Sequence, residues 1–401
     1  MRLLVVGHPF LLAHNQKKYV AMKRLDPGLC LRLLVPSRGS DRFDLTDYEV
    51  HPALNSEEVV PLKARLAGSH MTYLHDPISV GKLLANFQPD VIHMEAEPQA
   101  FISVQTIALQ CSLAKNAAVT LFTWDNLLRN RRFPVGTLKR QLRRYSLARA
   151  KTIICGNRRA AELLKAEGLF KGEVEVLPQY GLDVTEYQPG LESEVRARLG
   201  LEGQVIIGYV GRLVPEKGLR TLFQALGRLQ MQPWKLLLVG AGPLETEIRG
   251  RWMAEFPDRI VLVPAVPYDQ VSRYLRCLDI FVLASQSTPT WKEQFGLILA
   301  QSMLTGIASI GSTCGAIPEV LGPGAILFEE GQLDGLKRAL EALLTSATRR
   351  QQAGALGREF ALRHFTSETV AARYLNAFER ARLTLMPGKQ LLAEAVTDRE
   401  T

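Results

Sequence analysis

The sequence contains little cysteine and no long apolar segment. Only five of its 401 residues are cysteine, and no two of them form a C-x-x-C pair. This scatter argues against a disulfide framework or a zinc site and favours a reducing compartment. No run approaches the ~20 uncharged apolar residues of a membrane-spanning helix. The opening "MRLLVVGHPF" has too short an aliphatic run for a signal peptide, so we expect a cytoplasmic protein.

Acidic residues are absent from one basic segment. Residues 129–151 carry nine lysines and arginines and no carboxylate, while the whole chain has a net charge of +9. The rest of the chain is therefore close to neutral. No aromatic platform or recognised nucleic-acid motif accompanies this charge, so we do not expect nucleic acid as a partner.

Hydrophobic residues make up 47% of the chain and charged residues 22%, which is typical of a globular protein. Short apolar runs alternate with helical patterns, and most runs are apolar on both faces, as in parallel strands covered by helices. The sequence therefore predicts an α/β protein with right-handed crossovers. The predicted strands are RLLVVG, LRLLVP, DVIHME, AVTLFTW, KTIICG, VEVLPQ, VIIGYVG, WKLLLVG, RIVLVPA, DIFVLAS, ASIGS and AILFE.

A polar segment, "YGLDVTEYQPGLESEVRARLGLEGQ", separates two sets of strands. The length suits two domains, and we predict two Rossmann-like domains that bind ligands beyond the carboxyl ends of their strands, in the cleft between them. The predicted ranges are 1–185 for the N-terminal domain, 186–204 for a linker, 205–365 for the second domain, 366–386 for a final helix and 387–401 for a loosely ordered tail.

Two strand ends in the second half carry candidate phosphate-binding residues. In "VGRLVPEKGL" a strand ends at Gly211, and Arg212 and Lys217 follow before a helix begins. An arginine fork and a lysine point charge suit a diphosphate. In "VGAGPLE", Gly240 and Gly242 let the backbone approach a phosphate or a flat ring. Solvated surface charge is the alternative interpretation of the two cations.

The third motif is "EQFGLILAQ", residues 293–301. Glu293 precedes a Phe295-Gly296 step at which a helix begins, and the free N–H groups of a first helical turn suit phosphate or sugar oxygens. Gln301 follows on an otherwise apolar helix. The alternatives are that Glu293 only favours a helix start and that Gln301 is a packing amide. The order of the three motifs, at the ends of successive strands, favours one common binding site.

These motifs resemble the nucleotide-sugar-binding domain of family 4 glycosyltransferases, also called group 1, which are retaining enzymes with the two-domain GT-B fold. The resemblance covers most of residues 174–380. It rests on "GYVGRLVPEKGLRTLFQAL", "LLLVGAGPLE", "DIFVLASQSTPTWKEQFGLILAQSM", "CGAIPEVLG" and the final "RHFTSETVAARYLNAFERA". In the family the closing helix typically crosses back to the first domain.

The resemblance also implies residue roles. Arg212 and Lys217 would bind the donor diphosphate and stabilise the leaving nucleoside diphosphate, and Glu293 would contact donor-sugar hydroxyls. The backbone amides of Phe295, Gly296 and Leu297 would contact the sugar or the distal phosphate. Gln301 departs from the pattern, because the family usually has a glutamate there that binds the ribose. An amide can still form hydrogen bonds with a ribose hydroxyl. No metal and no cofactor besides the nucleotide-sugar co-substrate is expected.

The first half departs further from the family. A paired glycine often opens the first loop of family members and makes room for the donor phosphates. Here "GHPFLLAHNQKKY" has His14, Asn15, Lys17 and Lys18 in that region. We interpret the two lysines as solvated charges, and keep His14 and Asn15 as candidate acceptor or sugar contacts.

Two further strand ends supply candidate acceptor residues. "PDVIHMEAEPQAF" resembles a strand end of the family, whereas in "LFTWDNLL" a tryptophan replaces a histidine that many members carry. Parallel sheets bind their ligands beyond the carboxyl ends of the strands. For each residue a satisfied core, turn or helix-cap role is the alternative. The candidates are His93, Glu95, Glu97, Trp124, Asp125 and Asn126.

The basic segment contains a predicted amphipathic helix, "GTLKRQLRRYSLARA". A basic helix of this kind can lie on an anionic membrane surface, at ~1 kcal/mol per cation. A half-buried helix with a solvated basic face is the alternative. The membrane-surface candidates are Lys139, Arg140, Arg143 and Arg144.

The sequence and this resemblance therefore predict a metal-independent glycosyltransferase that uses a nucleotide-diphosphate sugar, and the resemblance alone implies that it retains configuration. The expected acceptor is a glycolipid, a lipid-linked intermediate or a polysaccharide intermediate at the inner membrane face. Two alternatives stay open: a nucleotide-sugar 2-epimerase-like isomerase, and a non-catalytic sugar-nucleotide-binding protein.

Overall fold

The structure is a computed structural model, and it describes residues 1–40, 45–66, 69–127, 134–323 and 325–385. The chain forms two compact units: Met1–Gly181 with Ser367–Thr401 is unit 1, and Leu182–Thr366 is unit 2. The predicted linker, 186–204, lies within unit 2, because Tyr187, Val195 and Leu201 are buried in its core. The predicted tail, 387–401, lies outside the described residues.

Seventeen strands occur in the described residues. They are β1 Arg2–Val6, β2 Cys30–Pro36, β3 Arg38–Ser40, β4 Leu45–Asp47, β5 Val59–Leu62, β6 Ala64–Arg65, β7 Leu74–His75, β8 Val91–Met94, β9 Ala118–Thr123, β10 Thr152–Cys155, β11 Glu173–Val176, β12 Val205–Val210, β13 Trp234–Val239, β14 Ile260–Val263, β15 Ile280–Leu283, β16 Ala308–Ser312 and β17 Ile326–Phe328.

The α-helices of the described residues alternate with these strands. They are α1 Lys17–Leu25, α2 Pro77–Phe87, α3 Phe101–Leu113, α4 Val135–Leu147, α5 Arg158–Glu167, α6 Ser193–Arg198, α7 Leu219–Gly227, α8 Glu245–Glu247, α9 Met253–Glu255, α10 Val271–Leu275, α11 Leu297–Leu304, α12 Ile317–Leu321, α13 Leu333–Leu344, α14 Ala347–His364 and α15 Ser367–Leu383. Shorter 3₁₀ turns are His8–Leu11, Ala13–Gln16, Pro215–Lys217 and Tyr268–Gln270, and a π turn, Ile248–Trp252, joins α8 to α9.

Unit 1 is a seven-stranded parallel sheet with the order β11-β10-β9-β8-β1-β2-β5. The central strands are buried on both faces, as their apolar sequences predict. Helix α15 packs within this unit, where Tyr374 and Phe378 join the core formed with Tyr19 of α1. The strand order reverses between β1 and β8, so a ligand of this sheet is expected at their carboxyl ends.

Unit 2 is a six-stranded parallel sheet with the order β14-β13-β12-β15-β16-β17. It repeats the Rossmann order, and its reversal lies between β12 and β15. All twelve predicted strands are present, and the α/β class with two Rossmann-like sheets is confirmed. The sequence does not predict five of the observed strands, β3 to β7. Among them, β5 is an edge strand whose pattern is obscured by Pro61 and by its half-buried position. Within the described residues no helix is both long and apolar enough to cross a membrane.

Candidate functional site

The switch point of unit 2 holds a lysine–glutamate ion pair. Lys217 lies in the turn after β12 and Glu293 in the loop after β15, and Lys217 Nζ is 2.6 Å from Glu293 Oε2. The hydroxyl of Ser285, the second residue after β15, donates to the same oxygen over 2.9 Å. The side chains of Lys217 and Glu293 are 15% and 8% exposed, so the pair remains within reach of a ligand.

Gly218 sets the position of Lys217. Its φ is 72°, and an added Cβ would lie 1.7 Å from the carbonyl oxygen of Ala284, directly after β15. Only glycine fits so close an approach in this conformation. The glycine therefore brings the turn after β12 against the end of β15, and so brings the lysine to the glutamate. The Lys217 ammonium also lies 5.0 Å from the ring centroid of Trp291.

Arg212 lies beside this pair with an exposed side chain. The hydroxyl of buried Tyr209 donates to its carbonyl oxygen over 2.6 Å, which fixes the backbone at the strand end. Burial, followed by the charge of Glu293, raises the pKa of that phenol well above its ordinary value, so it remains a donor. Arg212 and Lys217 thus place two cations at one strand end, as the sequence predicts.

The predicted glycines draw neighbouring strand ends together. A Cβ added to Gly240 would lie 1.9 Å from the carbonyl oxygen of Gly211, and one added to Gly242 would lie 2.5 Å from that of Leu213. Both glycines have φ near 150°, which L side chains rarely adopt. The loops after β12 and β13 therefore pack backbone to backbone, and leave exposed main chain next to Arg212.

Helix α11 begins at Leu297, four residues after Glu293. Gly296 precedes it with φ 81° and no side chain caps its first N–H groups, so the amides from Leu297 onward begin at this edge of the sheet. The carbonyl oxygen of Glu293 accepts from the N–H of Ala316 over 3.0 Å, which anchors the loop. Phe295 packs edge-on against Phe365. The predicted backbone donors therefore start where the ion pair lies.

Gln301 has a different environment from the one expected. It is 3% exposed, and its amide nitrogen donates to the hydroxyls of Tyr187 at 2.8 Å and Tyr268 at 2.9 Å. Glu186 also interacts with both tyrosines. The amide donors are thus used inside unit 2, and the packing alternative describes Gln301 better than a contact with ribose. Local spacing does not predict these contacts, because Tyr187 and Tyr268 lie 114 and 33 residues from Gln301 along the chain.

His93 and Glu95 of unit 1 form a closed network. Lys18 Nζ is 2.5 Å from Glu95 Oε1, and all three side chains are 0% exposed. The Tyr19 hydroxyl donates to Glu95 over 2.8 Å, and the Gln179 amide donates over 3.0 Å. Burial opposes ionisation of Glu95, but the charge of Lys18 overcomes it and lowers the pKa to about 2. The interpretation of Lys18 as solvated is therefore wrong, and His93 and Glu95 take structural positions.

His14 and Asn15 stabilise the first loop. The Asn15 amide donates to the carbonyl oxygen of Pro9 over 2.7 Å. His14 is half-buried, and burial lowers its pKa despite the opposing charge of Glu49. The N–H of Ala13 also donates to Glu49. Both candidates therefore lie in a turn that is held by hydrogen bonds within unit 1.

The remaining acceptor candidates lie together at the ends of β8 and β9. Glu97 is half-buried and accepts hydrogen bonds from the Thr123 hydroxyl at 2.6 Å and the Trp124 N–H at 2.9 Å. Asp125 is half-buried beside them, and Asn126 is 5% exposed. This cluster keeps a partly open carboxyl at a strand end, unlike the closed network around Glu95.

The basic helix is present as α4, and its charges divide into two groups. Arg143 pairs with Glu167 at 2.9 Å and bonds Gln99 at 3.3 Å. Arg140 and Arg144 are exposed, and Lys139 is half-buried. The apolar residues Val135 and Leu138 are 52% and 54% exposed, so this helix presents both apolar and cationic groups to solvent.

One sequence family matches this chain, and the match lies within unit 2. Residues 192–360 match the sequence profile described as "Glycosyl transferases group 1". Unit 2 therefore resembles a group 1 glycosyl transferase domain. The proteins that resemble the chain include 2-deoxystreptamine glucosyltransferase of Streptomyces kanamyceticus, 28% identical over 59% of this chain. D-inositol 3-phosphate glycosyltransferase of Thermobifida fusca is 26% identical over 56% of this chain. The matches span 62% and 55% of those proteins' own lengths.

Solved structures extend the likeness in fold to both units. Anabaena Alr3699/HepE in complex with UDP has a TM-score of 0.71 and 15% identity, and the match covers 95% of this chain and 100% of that one. Sucrose-phosphate synthase from Thermosynechococcus elongatus has a TM-score of 0.68 and 18% identity, with 95% and 98% covered. The predicted GT-B fold and the predicted group 1 resemblance are therefore confirmed.

Proposed function

We propose that the protein transfers a sugar from a nucleotide-diphosphate sugar to an acceptor hydroxyl, with retention of configuration. The observation that carries the proposal is the Lys217–Glu293 ion pair at the switch point of unit 2, next to exposed Arg212. A parallel sheet binds its ligand at this point. The first N–H groups of α11 begin at the same place and suit anionic oxygens.

The chemistry requires the bond between the anomeric carbon and the diphosphate to break. Positive charge develops on the sugar and negative charge on the leaving diphosphate, so fixed positive groups near the phosphate lower the barrier. Arg212 and Lys217 supply these charges, and the proposed transfer needs no metal. Glu293, held by Ser285 and Lys217, accepts hydrogen bonds from donor-sugar hydroxyls in this proposal.

The relatives define a first panel of substrates. Alr3699/HepE was solved with UDP and with UDP-glucose. A mannosyltransferase of Mycolicibacterium smegmatis, 25% identical over 50% of this chain, is named for GDP-mannose and a phosphatidylinositol monomannoside. We therefore propose testing UDP-glucose, UDP-N-acetylglucosamine and GDP-mannose against 2-deoxystreptamine, D-inositol 3-phosphate and membrane lipid extract.

The test measures nucleoside diphosphate release with and without each acceptor, and identifies the sugar products. Acceptor-dependent release with a new glycoside supports transfer. Conversion of the donor sugar without an acceptor would identify the isomerase alternative, and donor binding with no turnover on the panel would favour the binding protein. Both curated relatives reported above are named as glycosyltransferases, which favours transfer over isomerisation. Unchanged release in the presence of EDTA is expected for a metal-independent enzyme.

We also propose that unit 1 contacts an anionic membrane surface through α4. The exposed Arg140 and Arg144, together with exposed Val135 and Leu138, support this proposal. Arg143 contributes less, because its charge is paired with Glu167. An acceptor that resides in a membrane would reach the enzyme by this route.

Vesicle sedimentation tests the membrane proposal. We expect salt-sensitive binding to phosphatidylserine–phosphatidylcholine vesicles, and a loss of about 10–30-fold in the double variant Arg140→Gln/Arg144→Gln, at ~1 kcal/mol per cation. The matched control, Arg228→Gln/Arg249→Gln, removes two exposed arginines from unit 2 and leaves binding unchanged. Equal binding by both double variants and the parent would refute the membrane proposal.

A further inference from the structure

Trp124, directly after β9, is held at two points by different strand-end segments. Its N–H donates to Glu97 over 2.9 Å, and its indole N–H donates to Gln179 over 2.8 Å. Its ring packs closely on Gly156, because a Cβ added to this glycine would lie 2.1 Å from two ring atoms. The residue is therefore fixed by hydrogen bonds and packing together.

The two bonds lead to different carboxylates. Gln179 donates to Glu95, which is fully buried with Lys18. Glu97 lies two residues further along the chain and is half-buried. Its carbonyl oxygen accepts from the Ser103 hydroxyl over 2.9 Å, so the first turn of α3 holds its backbone firmly. Glu97 is thus a rigid support for Trp124, but one that solvent can reach.

Glu97 also bonds the Thr123 hydroxyl, and the same hydroxyl accepts the N–H of Asp125 over 3.2 Å. The loop that holds Trp124, Asp125 and Asn126 is therefore attached to Glu97 through both of its carboxylate oxygens. Hydrogen bonds to a charged carboxylate are roughly twice as strong as those to a neutral acceptor. Adding a proton would remove this charge and make one oxygen a donor.

The surroundings of Glu97 favour that proton near neutral pH. Burial is the main cause, and the charge of Asp125 adds to it, so that the pKa rises to about 7. The bonds from Thr123 and Trp124 and the charge of Arg143 oppose the rise. The other titratable neighbour is Cys155, whose pKa burial and the Glu97 charge raise to about 12, so this thiol stays neutral.

We propose that Glu97 is a positioning residue whose charged carboxylate holds Thr123 and Trp124, and so fixes residues 124–126 at the edge of unit 1 where an acceptor docks. Protonation of Glu97 weakens these two hydrogen bonds, because it removes the charge of their acceptor, and so loosens the loop while Glu97 keeps its half-buried position. The acceptor part rests on the proposed function, because it takes unit 1 as the acceptor-binding unit. The holding of the loop does not depend on any ligand.

Nuclear magnetic resonance of ¹⁵N-tryptophan-labelled protein tests the holding directly. The chain has four tryptophans, and Trp124→Phe assigns the two signals of Trp124. We expect its backbone N–H signal to titrate with a midpoint near pH 7. Its indole signal is an internal control and stays constant, because Gln179 is tied to Glu95, whose pKa is about 2.

Two variants separate Glu97 from other titrating groups. In Glu97→Gln the backbone signal no longer titrates, and in Asp125→Asn its midpoint moves to lower pH because the neighbouring charge is gone. The signals of the other three tryptophans report whether each variant is folded. An unchanged titration in Glu97→Gln, or no titration of this signal in the parent, overturns the proposal.

Steady-state kinetics with an active acceptor of the panel test the acceptor part. We expect the acceptor KM to fall about tenfold from about pH 6 to pH 8, because a group that titrates near pH 7 changes from about one-tenth to nine-tenths charged. The donor KM stays constant, and Glu97→Gln removes the pH dependence of the acceptor KM. A loop that titrates without this change in KM refutes the acceptor part. Absence of transfer with every acceptor counts against the proposed function, and leaves the resonance result to decide whether Glu97 holds the loop.

Discussion

Each unit has a lysine–glutamate pair at the switch point of its sheet, and the two pairs differ in access. Lys18 and Glu95 are 2.5 Å apart and 0% exposed. Lys217 and Glu293 are 2.6 Å apart and remain 15% and 8% exposed. The first pair is enclosed by aromatic rings, among them that of Tyr374, whose centroid lies 3.8 Å from Lys18 Nζ. The same chemical pair at the same topological position is therefore closed off in unit 1 and partly accessible to solvent in unit 2.

The comparison shows that neighbours decide the role of a charged pair. In unit 1 the Tyr19 hydroxyl and the Gln179 amide also donate to the Glu95 carboxylate. This carboxylate is fully buried, so a substrate does not reach it. In unit 2 the Ser285 hydroxyl joins the pair, and Arg212, the second residue after β12, is exposed.

Removing the lysine should destabilise unit 1 much more than unit 2. In Lys18→Met the buried charge of Glu95 loses its partner, and we expect the free energy of unfolding to fall by about 3–5 kcal/mol. In Lys217→Met the loss is about 1 kcal/mol, because solvent reaches the site. Urea unfolding measures both. The double variant Lys18→Met/Glu95→Gln should recover part of the loss, and equal losses in the two single variants would contradict the comparison.

Removing a cation from unit 2 should impair function instead. In Lys217→Ala and in Arg212→Ala, nucleoside diphosphate release should fall by about 10²–10³-fold, because the leaving diphosphate loses a stabilising charge. Arg228→Ala is the matched control, since it removes an exposed arginine of the same unit that pairs with Asp334. Full activity in both site variants would show that Arg212 and Lys217 do not stabilise the leaving diphosphate.

The two neighbouring carboxylates of unit 1 should give opposite pH dependences of stability. The pKa of Glu95 is lowered to about 2, so its contribution is present above about pH 4.5 and is lost as the pH falls towards 2. The pKa of Glu97 is raised to about 7, so the folded state holds its proton more tightly than the unfolded chain does, and stability falls as the pH rises from about 4.5 to 7.

Urea unfolding of Glu97→Gln and the parent checks this sign. The stability of the variant relative to the parent should rise by about 1–3 kcal/mol between pH 5 and pH 8, an estimate that allows for the half-buried position. Glu57→Gln, at a side chain that is 80% exposed, is the control and should show no such change. A relative stability of Glu97→Gln that is independent of pH would contradict the account of this carboxyl.

The smallest effect concerns Gln301. Its amide is used by Tyr187 and Tyr268, so Gln301→Glu exchanges bonds within unit 2, and Glu186 nearby opposes the new charge. We expect donor affinity to change by less than about threefold, a free-energy change below ~1 kcal/mol. Calorimetric titration measures it. A tenfold tightening would show that residue 301 reaches the donor after all.

The fold was predictable because strands buried on both faces leave a strong local signal. Apolar runs such as those of β8 and β12 are read without knowledge of their partners. The positions of Arg212 and Lys217 were predictable because both residues lie in the turn that follows β12. Strand β5 is an edge strand that contains Pro61, and its pattern is correspondingly weak.

The surroundings of the acceptor candidates in unit 1 were less predictable, because their interactions connect residues that lie far apart in the sequence. Lys18 and Glu95 are 77 residues apart, and nothing around "QKKYV" distinguishes a buried lysine from the more exposed Lys17 beside it. Glu95 and Glu97 look alike in "HMEAEP", yet one is closed in and the other is half-open. Burial of this kind is a property of the tertiary structure, which local spacing does not encode.

Calorimetric titration of nucleotide sugars tests the central claim, that unit 2 binds a sugar-nucleotide donor through Arg212, Lys217 and Glu293. The parent, Arg212→Ala and Lys217→Ala are titrated with UDP-glucose, UDP-N-acetylglucosamine and GDP-mannose. We predict that at least one donor binds the parent and that both variants bind it at least about tenfold more weakly, as expected when a charged hydrogen bond to phosphate is lost. Donor binding of equal strength in all three proteins, or no binding of any donor to the parent, would contradict the claim.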